Sequence, residues 1–154
     1  MQTKSITEMR MDQVVMNSMQ YFQVTEQGEL PGIGHLAPFK VVLAVEDDVS
    51  RVRQLEVATW LVEKGGCYVM ICGENCEDWQ QVIRQVNLNL FSIEDMKPEE
   101  FVMITTHAHD RLRNVFWHAR KHAYHTHVKF DQVITIHLGK QNRSVEYLAM
   151  FDKG

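Results

Sequence analysis

Four short apolar runs, alternating with three stretches of helical spacing, constrain this chain more than any other feature. They are residues 39–45 (FKVVLAV), 67–72 (CYVMIC), 101–105 (FVMIT) and 131–138 (DQVITIHL). Near-continuous apolar strands belong to sheets covered on both faces, and strand–helix alternation makes such a sheet parallel. The expected fold is therefore α/β: a three-layer sandwich with a mainly parallel, Rossmann-like sheet of four or five strands.

The helical stretches carry their own signals. After the first run, Asp48 or Ser50 can cap a helix whose stripe reads Val52, Leu55, Ala58, Leu61 and Val62, with Gly65 and Gly66 closing it. After the second, Asn75 is a candidate N-cap, Glu77 and Asp78 suit the positive helix end, and Trp79, Val82, Ile83, Val86 and Leu90 repeat at helical spacing. The third helix starts near Asp110, with Leu112, Val115, Phe116, Ala119 and Ala123 as its stripe. Ser144–Phe151 is a candidate fifth strand. Residues 1–38 read as a peripheral N-terminal segment, with a weak helix over Thr7–Phe22, and residues 39–154 as a single α/β domain.

Composition narrows the class. The 154 residues are 45% hydrophobic and 23% charged, which is ordinary for one globular domain. No apolar run approaches the roughly 20 residues of a spanning helix, and the N-terminus lacks the apolar core of a signal peptide. A cytoplasmic protein without membrane association is expected. Three cysteines, Cys67, Cys72 and Cys76, are an odd count and complete no zinc cage, so free thiols are expected. Net charge is −4 with no basic stripe, which excludes a general nucleic-acid binder and suits a basic protein partner.

In an open parallel sheet, ligands bind beyond the carboxyl ends of the strands. That rule alone selects residues here. Glu46, Asp47 and Asp48 follow the first run; Gly73, Glu74, Asn75 and Cys76 the second; Thr105, Thr106, His107, His109 and Asp110 the third. From these, Glu46, Asp47, Asp48, Glu74, Cys76, Thr106, His107 and His109 are taken as candidate binding residues. Trp117 joins them because it falls off the apolar stripe of its helix.

Specific chemistries fare worse. The acidic pair after the first run suggests a receiver domain, but no aspartate follows the second run and no lysine ends the fourth. The segment THAHD resembles a metallo-hydrolase motif, yet Arg111 stands where a third histidine is needed. His118 and His122, at i and i+4, can face one metal, but Arg111, Arg113, Arg120 and Lys121 share their helix. No GxSxG elbow, P-loop or GxGxxG follows a strand. A Cys76–His107 pair is geometrically possible, with a thiolate favoured at a helix N-terminus. No cofactor is called for.

The central stretch also resembles an uncharacterised family of small bacterial α/β proteins. The matching residues are Trp60-Leu61-Val62 with Gly66 and Tyr68; Gly73, Cys76 and Trp79; Asn87-Leu88 and Phe91; Phe101-Val102-Met103 with Thr105-Thr106; and Val115-Phe116-Trp117 with Ala119, Ala123 and His125. The likeness spans Trp60–His125 and implies the fold.

Two functions remain as expectations. One is an immunity or antitoxin-like protein that neutralises a basic toxin by direct binding. The other is a small-ligand binder, or a metal- or thiol-dependent enzyme, using the strand-end cluster with Asp47, Asp48, His107 and His109 as candidate metal ligands.

Overall fold

A computed structural model describes residues 18–153. Five strands form one sheet: β1 (Gln20–Val24), β2 (Phe39–Val45), β3 (Gly66–Gly73), β4 (Met103–His107) and β5 (Gln132–Leu138). All neighbours are parallel and the order is β1-β5-β2-β3-β4. Four helices cover it: α1 (Arg51–Glu63), α2 (Cys76–Leu90), α3 (Leu112–Lys121) and α4 (Ser144–Lys153). The α/β, Rossmann-like three-layer fold is what the alternating runs predicted.

Strand periodicity divides the core in two. Val41, Leu43, Ile71 and Ile134 face α1 and α2, packing on Leu61, Trp79 and Ile83. Val42, Ala44, Met70 and Val133 face α3 and α4, packing on Val115, Phe116 and Phe151. All seven residues of β2 are buried, because this strand has a sheet neighbour on each side and a helix layer on each face.

Several boundaries differ from the sequence reading, each for a physical reason. The fifth strand is β1, not Ser144–Phe151. That later segment is α4, in which Tyr147 and Phe151, four residues apart, pack edge-on against Phe116. Residues 20–38, expected at the periphery, supply β1 and the buried Ile33 and Leu36. Of the helix expected over Thr7–Phe22, residues 7–17 lie outside the described residues, and Gln20–Phe22 are strand.

β4 starts at Met103 rather than at Phe101, because the chain before it is held elsewhere, and it runs on to His107. Buried Asn87 of α2 accepts from the Val102 amide at 3.1 Å and donates to the Glu100 carbonyl at 2.7 Å. Residues 100–102 are thereby tied to α2, and pairing with β3 begins only at Met103.

Helix α1 buries Ala58, Leu61 and Val62 as expected, but its first turns face differently. Ser50 caps it, accepting from the Arg53 amide at 3.1 Å. Arg53 then turns inward and donates to the carbonyls of Thr25 and Gly28 behind β1. That anchor rotates Val52 and Leu55 to solvent. Gly65, at φ 108, ends the helix as expected.

Asn75 occupies the position before α2 but in left-handed conformation, and its side chain does not cap the helix. Its amide donates instead to Asp48 at 2.7 Å, linking the loops after β2 and β3. Gly73, at φ 93, lets β3 pass beside β2; a Cβ there would collide with the Val45 carbonyl oxygen. Among the described residues, no helix is long and apolar enough to cross a membrane.

Candidate functional site

The parallel sheet brings the ends of β2, β3, β4 and β5 to one rim. From β2 the chain proceeds outward to β3, while β5 lies on the other side of β2, so the β2–β5 boundary is the topological switch point. A polar chain centred on the buried His137 fills that boundary. Glu46, just past β2, accepts from His137 Nε2 at 2.7 Å and from the Arg143 guanidinium at 2.7–3.1 Å. His137 Nδ1 lies 2.5 Å from the Tyr21 hydroxyl, whose oxygen also accepts from the Arg143 amide at 2.9 Å.

Charge fixes the direction of this chain. Arg143 first, and His137 second, hold the Glu46 carboxyl down at about 2. A carboxylate only accepts, so His137 Nε2 carries a proton, and in the neutral ring Nδ1 accepts from Tyr21. Every polar atom of the His137 ring is satisfied, although the residue is fully buried in β5. Gly139 is required beside it, since a Cβ there would stand 2.5 Å from His137 Nε2 and 2.7 Å from Glu46 Oε1.

Next to this chain, on the α3–α4 face, a cleft of about 170 Å³ opens between the strand ends. Its lining includes Glu46, Cys72, Gly73, Asp110, Leu112 and Tyr147. Burial pushes the Cys72 thiol up to about 12, with Cys76 and Asp110 adding to the effect. Burial likewise raises Tyr147, reinforced by Glu46. Both groups are therefore neutral near pH 7.

Tyr147 is only 6% exposed, and its ring packs on Tyr21, Phe116 and His137. Among the described residues, no hydrogen bond engages its hydroxyl. Nor is that hydroxyl among the fully enclosed unpartnered atoms of the described residues, which are Trp79 Nε1, His118 Nε2 and Thr135 Oγ1. Since Tyr147 lines the cleft, its hydroxyl opens into it.

A second polar group lies at the end of β4. His107 Nδ1 meets Asp110 Oδ2 at 2.9 Å and its Nε2 meets Thr105 Oγ1 at 2.8 Å. The His118 ring stands 5.5 Å from that of His107 and 6.4 Å from that of His122. Burial, then the neighbouring His107 and His122, push the His118 imidazole down, favouring its neutral form.

The nine candidate residues are thus sorted by geometry. Glu46 lines the cleft, and His107 holds the Asp110 carboxylate that lines it. Asp47, Asp48 and Glu74 stand outside on the rim; the Asp47 amide donates to Leu138 and the Glu74 amide to Val45, each at 2.9 Å. Thr106 is exposed within the edge strand β4, and His109 is exposed in the turn after it. Trp117 lies on the outer surface of α3, its ring 4.4 Å from that of His122.

Cys76 departs most from expectation. It is buried in the α1–α2 core, and burial raises its thiol rather than lowering it. The thiol donates to the carbonyls of Gly73 at 3.4 Å and Ile71 at 3.5 Å. It meets the backbone of His107, whose imidazole is committed to Thr105 and Asp110, so no thiol–imidazole pair forms. Asp47, Asp48, His107 and His109 do not assemble either: among the described residues, no three His, Cys, Asp or Glu side chains are grouped to hold a metal.

Tyr21, His137, Arg143 and Tyr147 were not among the candidates. His137 carried a readable signal, a histidine inside an otherwise apolar strand. The other three stood in segments whose place in the fold the sequence left open.

A family model described as a domain of unknown function (DUF7684) matches residues 19–154, and the chain belongs to that family. No curated protein and no solved structure matches the chain.

Proposed function

We propose that this member of the DUF7684 family is a small-ligand-binding protein whose site is the cleft at the carboxyl ends of β2 and β3. The observation that carries this reading is the Tyr147 hydroxyl, which opens into the cleft from a residue otherwise only 6% exposed and has no hydrogen-bond partner among the described residues. A hydroxyl that no protein group engages, at the wall of an opening, is available to a ligand. Glu46 and Asp110 beside it offer further acceptors, and the position adjoins the switch point, where open α/β sheets place their ligands.

Binding, rather than thiol or metal chemistry, fits the side chains present. The thiol in the cleft, Cys72, is held neutral by burial. His137 has both ring nitrogens committed, which makes it a strut for Glu46 rather than a free base.

A second reading is favoured by the rim outside the cleft. Asp47, Asp48, Glu74, Glu77 and Asp78 follow β2 and β3, and none forms a salt bridge among the described residues. Such a surface suits a basic protein, as an immunity protein bound to a toxin would use.

One NMR experiment separates the two. Titration with a library of small polar compounds should shift the amides of Gly73, Asp110, Leu112 and Tyr147. If no compound moves them, while a purified basic toxin shifts Asp47, Asp48 and Glu74, the protein-binding reading replaces the first.

A further inference from the structure

We infer that the ligand of this cleft is a small molecule carrying a protonated primary amine, received by Asp110 and the Tyr147 hydroxyl oxygen. The inference rests on the ligand-binding reading of the cleft and adds the chemical class.

The acceptors are unevenly spent. Glu46 gives both carboxylate oxygens to Arg143 and one also to His137. Asp110 gives Oδ2 to His107 and leaves Oδ1 without a hydrogen bond, and its side chain is 53% exposed. The Tyr147 oxygen is free as well. An ammonium group has three donors and no acceptor, so it suits a cleft whose unspent groups are acceptors.

Charge points the same way. No Lys, Arg or His lines the cleft. Arg143, the cation next to it, is committed to Glu46 and reaches Glu146 at 3.5 Å. The amino end of α3 would favour an anion, but Asp110 stands two residues before Leu112 and answers that partial charge from within the protein. Asp110 and Glu46 also help to keep Cys72 and Tyr147 in their neutral forms. A field that opposes a new negative charge favours a positive one. Succinate-like or phosphate ligands would meet two carboxylates; an ammonium meets one whose charge no guanidinium cancels.

Size limits the rest of the molecule. The cleft of about 170 Å³ equals roughly six water volumes at ~30 Å³ each, room for a short aliphatic chain. Leu112 and the Cys72 side chain supply its apolar wall.

The test is an amide-resolved NMR titration at pH 7 with three probes of similar size at matched ionic strength: butylammonium, 1,4-butanediol and succinate. Butylammonium should bind saturably, with Kd of about 1 mM, and shift Gly73, Asp110, Leu112 and Tyr147. Asp110→Asn should weaken it about tenfold, and Tyr147→Phe about threefold, with the amide spectra of both variants otherwise those of the folded parent. Butanediol or succinate binding there as tightly as butylammonium would overturn the amine assignment and leave the ligand-binding cleft standing. Butylammonium binding unchanged in both variants would overturn it equally. If none of the three probes moves the cleft amides, the amine assignment and the ligand-binding reading fall together.

Discussion

The two ends of β2 put a charged side chain to opposite uses. At the amino end, Lys40 is 2% exposed and donates to the carbonyls of Ala119 at 2.6 Å and Ala123 at 2.7 Å, capping the carboxyl end of α3. Its ammonium group also lies 5.9 Å from the centre of the Phe130 ring. At the carboxyl end, Glu46 is held by Arg143 and His137 beside an open cleft, and the neighbouring Tyr147 hydroxyl and an Asp110 oxygen remain unused. One end is closed and spent; the other keeps bonding capacity in reserve. The difference teaches where to look for function in such a sheet: a buried charge with its partners is architecture, whereas a polar atom left without a protein partner at an opening is available to a ligand.

Removing Lys40 should break the closed end most severely. Lys40→Met leaves two helix-end carbonyls unsatisfied and should cost about 3 kcal/mol in urea denaturation. Burial also brings the Lys40 amine down to about 8. Between that value and the ~10.4 of an unfolded lysine, the unfolded chain holds the extra proton, so stability should rise with pH across this window. Lys40→Met should flatten that rise; a cost near zero with an unchanged alkaline slope would dissolve the contrast between the ends.

Gly139→Ala tests the strut at the open end. The added methyl falls against His137 and Glu46, and forcing them apart should cost about 1–3 kcal/mol. The bonded His137 Nε2 proton should vanish from its downfield NMR position. Retention of that signal at full stability would remove the strut.

Glu46→Gln should have a smaller effect, under about 1 kcal/mol near neutral pH, because the carboxylate is partly solvated. Its folded-state value of about 2 lies below that of an unfolded glutamate, ~4.3, so its contribution is present above the unfolded value and lost as pH falls toward the folded one. The variant should therefore lose stability less steeply through that acid window. Tyr147→Phe should change least, within about 0.5 kcal/mol, since no hydrogen bond is forfeited. A larger loss would mean that the hydroxyl serves the fold, and the contrast would sharpen in the wrong direction.

The strand ends were legible because a parallel sheet aligns them. Glu46, Gly73 and Asp110 could be placed on one rim from the runs alone, and the cleft does lie between them. The strand-end rule could not say which side of the rim opens. That depends on α4, whose pattern SVEYLAMF serves a helix or a strand until Phe116 offers a packing partner for both Tyr147 and Phe151. Tyr21 was hidden for a related reason: a five-residue edge strand has too little periodicity to be told from the end of a helix. The misplaced Val52 and Leu55 of α1 have the same origin, an arginine whose carbonyl partners lie about 25 residues earlier in the chain.

By itself, the sequence determined what local pattern can determine: apolar runs of strand length, the amphipathic stretches between them, the caps and glycines that end them, and hence a layered sheet with a shared polar rim. Tertiary structure alone decided which rim groups are consumed and which are left over. Whether a carboxylate or hydroxyl is spent depends on partners as far away as Arg143 is from Glu46, and those distances are set by how five strands order themselves, not by any residue's neighbours in the chain.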